Sequence, residues 1–184
     1  MVLVFLLFLM STVLSQNQIS YDSLDNLMKK LYPEEIPGAA LLIVQDNKVT
    51  FNKGYGLADI DSKEIISTET HFRMASVSKQ FTAMCILILQ SQNKLNINDA
   101  VIKYIPSLPN FAEKITIKQL LTHTSGIADY ESLIPKDQKE QISDADVLQL
   151  IGKSDSLYFK PGSKFKYSNT AFCLLTQIVE KVSG

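Results

Sequence analysis

The most apolar internal segment of the chain reads Ser76-Val77-Ser78-Lys79-Gln80-Phe81-Thr82-Ala83-Met84-Cys85-Ile86-Leu87-Ile88-Leu89. From Val77 onward apolar side chains occupy nearly every face of a helical wheel, and helices of that kind normally lie in the middle of a domain. Three helical positions separate Ser76 from Lys79, which is a rotation of about 300° and a rise of about 4.5 Å. The segment therefore predicts a buried central helix that presents a serine and a lysine on one face.

This serine–lysine pair has the chemistry of a nucleophile and its proton acceptor. A serine hydroxyl is almost never ionised near neutral pH, so it needs a neighbouring base. Apolar surroundings would disfavour the charged form of Lys79 and make it a better base. The same spacing recurs at 91–94, where the apolar run ends, and at 163–166, in a loop after Pro161-Gly162, and we interpret both as chance. The alternative for Ser76 and Lys79 is a helix-capping serine with a solvated lysine.

Outward from this segment, the chain predicts an α+β architecture. An amphipathic helix at 21–31 is stopped by Pro33, and a β-hairpin follows with a deeply buried first strand at 38–44, a turn at Asp46-Asn47 and a second strand at 49–55. Helices dominate the remainder. They are expected near 117–121, from Ser143 with Asp146 completing a capping box, and at 170–182.

Composition excludes several functional classes. With 184 residues and a net charge of −1, the chain suits one domain and shows no basic face for nucleic acid or an anionic membrane. Cys85 and Cys173 permit one disulfide, but we interpret them as buried thiols. His71 and His123 stand far apart without metal-ligand spacing, so we expect no metal and no cofactor, and we interpret His123 as packing in a turn.

The amino terminus predicts export. Residues 1–14 are almost entirely apolar and are followed by Ser15 and the polar run Gln16-Asn17-Gln18, which is typical of a signal peptide cleaved near Ser15. About 20 residues are needed to cross a bilayer, so no stable membrane span is expected. We therefore expect a signal peptide at 1–15 and a secreted or periplasmic protein. A membrane-anchored scaffold that keeps this leader is the competing interpretation.

Three phrases carry a family resemblance. They are Phe72-Arg73-Met74-Ala75-Ser76-Val77-Ser78-Lys79-Gln80-Phe81-Thr82, Leu120-Leu121-Thr122-His123-Thr124-Ser125-Gly126-Ile127, and Pro161-Gly162 through Tyr167-Ser168-Asn169, which contains the only Y-x-N of the chain. From about Ile36 to Gly184 the sequence resembles the superfamily of class C β-lactamases, D-alanyl-D-alanine carboxypeptidases and penicillin-binding serine hydrolases. The resemblance implies a β-lactamase/transpeptidase-like fold, with a helical region packed on an antiparallel sheet.

The resemblance also implies roles for individual residues. Ser76 would be acylated, Lys79 would share its proton, and Tyr167 would act as general base or acid; whether Lys79 or Tyr167 is the acylation base stays open. Asn169 would bind substrate, although capping of the last helix is an equally good interpretation. The backbone N–H of Ser76 would supply half of an oxyanion hole. The implied substrates are small-molecule or peptide-like acyl compounds: an ester, a D-Ala-type peptide or a β-lactam.

One element of the family pattern is missing from the sequence. The family's third motif, Lys or His followed by Thr or Ser and Gly on a strand beside the site, does not occur up to Gly184. We therefore expect 16–184 to be an incomplete hydrolase domain that lacks its C-terminal strands. The leading hypothesis is an exported serine acyl-hydrolase, and the alternative is a truncated, non-catalytic relative that binds peptide-like ligands. The sequence leaves the oligomeric state open.

Overall fold

The computed structural model describes residues 21–153 and 157–184, so the proposed signal peptide lies outside the described residues. The chain divides into two compact units between Arg73 and Met74. Helices and one antiparallel pair of strands make up the regular structure of these described residues, which confirms the predicted α+β class. Among the described residues, no helix is both long and apolar enough to cross a bilayer.

The first unit contains helix α1 (Tyr21–Leu31) and a hairpin of β1 (Ala39–Gln45) and β2 (Lys48–Tyr55). Asp46 and Asn47 connect the strands with φ angles of 51° and 59°. Positive φ at both central residues gives a turn whose twist matches that of the strands, which is why this dipeptide predicted the hairpin correctly.

The predicted deep burial of β1 is wrong. Leu42 and Val44 are 56% and 55% exposed, and among the residues that the structure describes the strand pairs only with β2, in a two-stranded sheet. A continuous apolar run indicates a strand but does not determine how much of it is covered. The hairpin is tied instead to α1 at one edge, where the Asp25 carboxylate accepts hydrogen bonds from Tyr55 Oη at 2.8 Å and from Lys53 Nζ at 2.7 Å.

The second unit is helical and holds the main core. Its helices are α2 (Lys79–Ser91), α3 (Ile117–Leu121), α4 (Asp144–Gly152) and α5 (Asn169–Ser183), with short 3₁₀ helices between them. Helix α5 packs against the other three. Side chains with no exposed surface fill the space between the helices: Ile86, Ile117, Leu120, Ile151, Leu174, Leu175 and Ile178. Each such side chain stabilises the fold by about 1.5–3 kcal/mol relative to an exposed one.

Helix α2 is less buried than its sequence predicts. Only Ile86 and Leu89 of this helix are buried, while Phe81 and Met84 are 63% and 55% exposed. Its described helical neighbour, α5, covers one stripe of the surface and leaves the opposite side open. The expectation of a central helix covered on all sides is therefore wrong for the described residues.

The helix starts agree with the capping signals. Ser143 caps α4, and both hydrogen bonds of the predicted capping box with Asp146 are present. Helix α5 is capped by Ser168, whose Oγ accepts from the N–H of Ala171 at 3.2 Å. Asn169 is the first residue inside the helix, so the interpretation of Asn169 as the cap is wrong, and its side chain is available for other contacts.

Candidate active site

Ser76 lies on a 3₁₀ turn, Ala75–Ser78, directly before α2. Side chains at positions i and i+3 eclipse one another in 3₁₀ geometry, so the turn aligns Ser76 with Lys79, the first residue of α2. The preceding residue, Ala75, has a φ of 45°, in the left-handed region that a residue with a Cβ rarely adopts. Such strain costs about 1–3 kcal/mol and occurs preferentially at functional sites.

Three of the predicted site residues meet at one oxygen atom. Lys79 Nζ donates to Ser76 Oγ over 3.2 Å, and Tyr167 Oη donates to the same Oγ over 2.7 Å. Tyr167 is 91 positions from Ser76 in the sequence. The structure therefore brings together the serine, amine and phenol that the sequence selected.

Asn169 joins this group through Lys79. Its Oδ1 accepts from Lys79 Nζ at 2.8 Å, and its Nδ2 donates to Glu131 Oε1 at 3.0 Å. The backbone N–H of Asn169 donates to Asp129 Oδ2 at 2.8 Å. With both ends of its amide and its backbone fixed, Asn169 orients the ammonium group of Lys79 towards Ser76.

The surroundings of Lys79 are less apolar and more open to solvent than the sequence predicted. Lys79 is half-buried and Ser76 is exposed, so the described residues do not enclose the lysine in apolar core. The amine lies 5.0 Å from the ring centroid of Tyr167 and 5.6 Å from that of Phe172, within the range of cation–π attraction. The Lys79 ammonium, followed by the hydrogen bond to Ser76, lowers the pKa of the Tyr167 phenol.

Comparison with known proteins identifies the family. The family model described as Beta-lactamase matches residues 24–184. The chain belongs to the β-lactamase family. Protein flp of Staphylococcus aureus (strain COL) is 40% identical over 173 residues, and Penicillin-binding protein 4* of Bacillus subtilis (strain 168) is 31% identical over 164 residues. These matches cover 89% and 88% of this chain but 34% and 36% of the relatives, so the chain spans about a third of their length.

A solved structure confirms the fold expected for the β-lactamase family. EstCE1, described as a hydrolase with promiscuous acyltransferase activity, superimposes with a TM-score of 0.71 and 27% identity. The superposition covers 86% of this chain and 46% of EstCE1. The β-lactamase/transpeptidase-like fold is therefore confirmed for the part of it that this chain contains.

The other two S-x-x-K matches of this β-lactamase-family chain do not form comparable pairs. Ser91 Oγ donates to the carbonyl of Ile88 at 2.8 Å, and Ser163 Oγ donates to the carbonyl of Lys160 at 2.7 Å. Each hydroxyl thus bonds to the backbone of its own turn, in agreement with their interpretation as chance matches.

Four residues beside the site escaped the sequence reasoning. Asp129 and Glu131 fix Asn169, and the hydroxyl of the fully buried Thr170 accepts from the N–H of Tyr130 at 2.7 Å. His123 was predicted to pack in a turn, yet its ring stacks on Tyr167 with 4.6 Å between centroids. The position of His123 inside the second family phrase was the one available signal, because nothing in the local pattern marks the other three.

The cysteines are not bridged in this β-lactamase-family chain. Both are free, and Cys173 is half-buried as a core thiol would be, whereas Cys85 is exposed on α2. The expected burial of Cys85 is therefore wrong. No group of three or more His, Cys, Asp or Glu side chains that could hold a metal is found within the described part of the chain.

Proposed function

We propose that this chain is the nucleophile-bearing part of a serine acyl-hydrolase that works through an acyl-enzyme on Ser76. The observation that carries the proposal is the shared contact of Tyr167 Oη and Lys79 Nζ with Ser76 Oγ. Membership of the β-lactamase family supports serine acyl-hydrolase chemistry in general. Ser76, Lys79 and Tyr167 are the proposed catalytic residues, and Asn169 the proposed substrate-binding residue.

In the first step, Ser76 Oγ attacks the carbonyl carbon of the substrate while its proton passes to the base. We assign that role to Tyr167 in its ionised form, in which Oη accepts the hydrogen bond that the phenol donates to Oγ in the structure. The Tyr167 oxygen is nearer to Oγ than the amine is, and the contacts with Lys79 and then Ser76 lower the pKa of the phenol. In this scheme Lys79 is not the base: its Nζ donates to Ser76 Oγ and to Asn169 Oδ1. The backbone N–H of Ser76 is the proposed donor to the developing oxyanion.

The proton on Tyr167 then passes to the leaving group as the tetrahedral intermediate collapses. This leaves an ester on Ser76, and Tyr167 is again a phenolate. Water attacks the ester carbon and gives its proton to Tyr167, and the acid is released as the proton returns to Ser76 Oγ. A positioned general acid–base group contributes about 10²- to 10⁴-fold to rate.

The substrate class follows from this chemistry and from the relatives. The step needs an acyl carbonyl bonded to an oxygen or nitrogen that can leave, which an ester, a peptide ending in D-alanine and a β-lactam each provide. One relative is named for penicillin binding and one structural neighbour for acyl transfer, and these names support the same classes. We further propose export through the leader at 1–15, and N-terminal sequencing of the mature protein should then start near Gln16.

A labelling experiment tests the nucleophile. The protein is treated with a fluorophosphonate probe and with a fluorescent penicillin, beside Ser76→Ala and the matched control Ser91→Ala. The control alters the serine of another S-x-x-K match, at the end of α2. We expect label on the wild type and on Ser91→Ala, and none on Ser76→Ala. Equal labelling of wild type and Ser76→Ala would overturn the assignment, and a folded but unlabelled wild type would favour a non-catalytic peptide-binding relative.

A further inference from the structure

His123 contacts three consecutive residues of the segment that carries Tyr167. Its carbonyl oxygen accepts from the N–H of Lys166 at 2.9 Å, and its Nδ1 accepts from the N–H of Ser168 at 3.2 Å. Between these two bonds, the imidazole stacks on the Tyr167 ring at 4.6 Å with an interplanar angle of 27°. One residue therefore fixes the backbone on both sides of Tyr167 and one face of its ring.

The backbone of His123 is held in an unusual conformation that makes this contact possible. His123 follows the end of α3 with a φ of 55°, in the left-handed region. Its N–H donates to the carbonyl of Leu120 at 3.2 Å, and the next N–H, of Thr124, donates to Gln119 at 2.9 Å. Glycine is the usual residue for such a helix end, but it has no imidazole to offer Ser168 and Tyr167.

The contact with Ser168 requires one protonation state of the ring. Nδ1 can accept a hydrogen bond only while it keeps its lone pair, so the imidazole is neutral and carries its proton on Nε2. Burial against Phe165 and Phe172 lowers the pKa of His123 and the Lys79 ammonium acts in the same direction, and together they outweigh the opposing influence of Ser168 and Asp129. The neutral form therefore prevails at neutral pH.

We propose that His123 is the positioning residue of the site: its neutral ring holds the Tyr167 phenol within reach of Ser76, and protonation of Nδ1 releases it. This role rests on the proposed function of Tyr167. The titratable groups that face the ring are Lys79, Asp129 and Tyr167 itself. Protonation removes the acceptor for Ser168 and adds a second cation near Lys79, so the catalytic rate falls as the pH drops below the ordinary range of histidine.

The first test does not depend on activity. The chain has two histidines, so ¹⁵N spectra of the imidazoles contain two sets of signals, and those lost in His71→Asn belong to the exposed His71. We expect His123 to show an unprotonated Nδ1 with the proton on Nε2, and to titrate below the ordinary range of histidine. A proton on Nδ1 at neutral pH would overturn the proposal even if Ser76 labels as expected.

The second test measures the rate of fluorophosphonate labelling between pH 4 and 8 in two variants of His123. One variant keeps a hydrogen-bond acceptor without the imidazole ring, and the other removes both. His123→Asn keeps a side-chain acceptor and tolerates positive φ, so it should retain most of the rate at pH 7. It should lose the part of the acid decline that follows the titration of His123 in the ¹⁵N spectrum, while the decline caused by protonation of Tyr167 remains. His123→Ala removes acceptor and ring, and displacement of the phenol by about 1 Å should slow labelling by about 10²-fold. His71→Asn serves as the control and should match the wild type.

The outcomes distinguish this proposal from the proposed function. A wild type that labels no faster than Ser76→Ala defeats the catalytic assignment, whereas the ¹⁵N spectrum still decides the state of His123. A wild-type rate in His123→Ala, or an acid decline that persists unchanged in His123→Asn, would show that His123 does not position Tyr167. A slower probe reaction with an unchanged half-saturation concentration is the expected pattern for a group that acts on chemistry rather than on binding.

Discussion

Replacement of Tyr167 by phenylalanine isolates the phenol oxygen. The hydroxyl donates to Ser76 Oγ at 2.7 Å, whereas the ring makes separate contacts with His123 and Lys79. Tyr167→Phe keeps both ring contacts and removes only the proton-carrying atom. Any loss of rate then reports on proton transfer and not on the collapse of the surrounding packing.

The expected size of the effect follows from the role assigned to that atom. A positioned general base contributes about 10²- to 10⁴-fold, which corresponds to about 3–5 kcal/mol of activation free energy. The cost to folding should be much smaller, because Tyr167 is 44% exposed and a net hydrogen bond contributes about 0.5–1.5 kcal/mol. Activity should therefore fall by at least 10²-fold while the unfolding midpoint moves little.

The assay measures the rate constant for labelling of Ser76 by a fluorophosphonate, together with urea unfolding of the same samples. Tyr158→Phe is the matched control, since Tyr158 is 45% exposed and its Oη lies 3.1 Å from Ser132 Oγ rather than beside Ser76 Oγ. The control should label at the wild-type rate. A Tyr167→Phe protein that labels within threefold of the wild type would refute the role of the phenol, and Lys79 would remain as the base.

Further predictions concern stability and thiol reactivity. Thr170→Val leaves the N–H of Tyr130 without its acceptor in a buried region and should destabilise the fold by about 1–3 kcal/mol in urea unfolding. Ser143→Ala removes the capping box of α4 and should cost about 1 kcal/mol by the same measurement. Iodoacetamide at pH 8 should alkylate Cys85 and spare Cys173, because burial raises the pKa of the Cys173 thiol to about 12, as peptide mass spectrometry would show.

For each of these three predictions, one result would contradict the reasoning. The exposed Thr122 donates its hydroxyl to the carbonyl of Lys118, so Thr122→Val is the control for Thr170→Val, and equal stability of the two variants would contradict the reasoning. An unchanged midpoint in Ser143→Ala would mean that α4 does not depend on its cap. Alkylation of Cys173 at the rate of Cys85 would mean that α5 opens readily in solution.

The sequence predicted the local elements well because each is specified by a few neighbouring residues. The helix at 117–121 was predicted with its observed bounds, and the capping box at Ser143 formed both expected hydrogen bonds. Asp46-Asn47 gave the hairpin turn, since both residues accept positive φ. In each case the residues that specify the element lie within a single turn of the chain that they shape.

Burial was predicted less well, because it depends on what covers a surface. The apolar residues of β1 and α2 indicated the correct secondary structure, yet Leu42 and Phe81 are more than half exposed in the structure. Hydrophobic periodicity identifies a face that gains from contact and contains no information about the partner. The prediction of apolar surroundings for Lys79 was wrong for the same reason.

The candidate active site contains both residues that the sequence predicted and residues that it missed. Ser76, Lys79 and Tyr167 were selected by residue type and spacing, and the structure places them in mutual reach. His123 and Asp129 were not assigned to the site, because their contribution depends on the left-handed backbone after α3 and on the turn at 130–132, which bring them against 166–169. No property of an isolated histidine or aspartate predicts such a placement.

The three phrases that distinguish this sequence therefore act as one physical unit. The first phrase supplies Ser76 and Lys79, the third supplies Tyr167 and Asn169, and the hydrogen bond from Lys79 Nζ to Asn169 Oδ1 joins the two phrases. The second phrase adds the support for Tyr167, because its His123 bonds to the backbone on both sides of that residue. An S-x-x-K pair alone is common by chance in this chain, and it gains chemical meaning only where a separate segment delivers a phenol to the same oxygen. The contact of Tyr167 Oη with Ser76 Oγ, and not the serine–lysine spacing, is what makes the Ser76 site distinct from its two sequence matches, whose hydroxyls bond to backbone carbonyls.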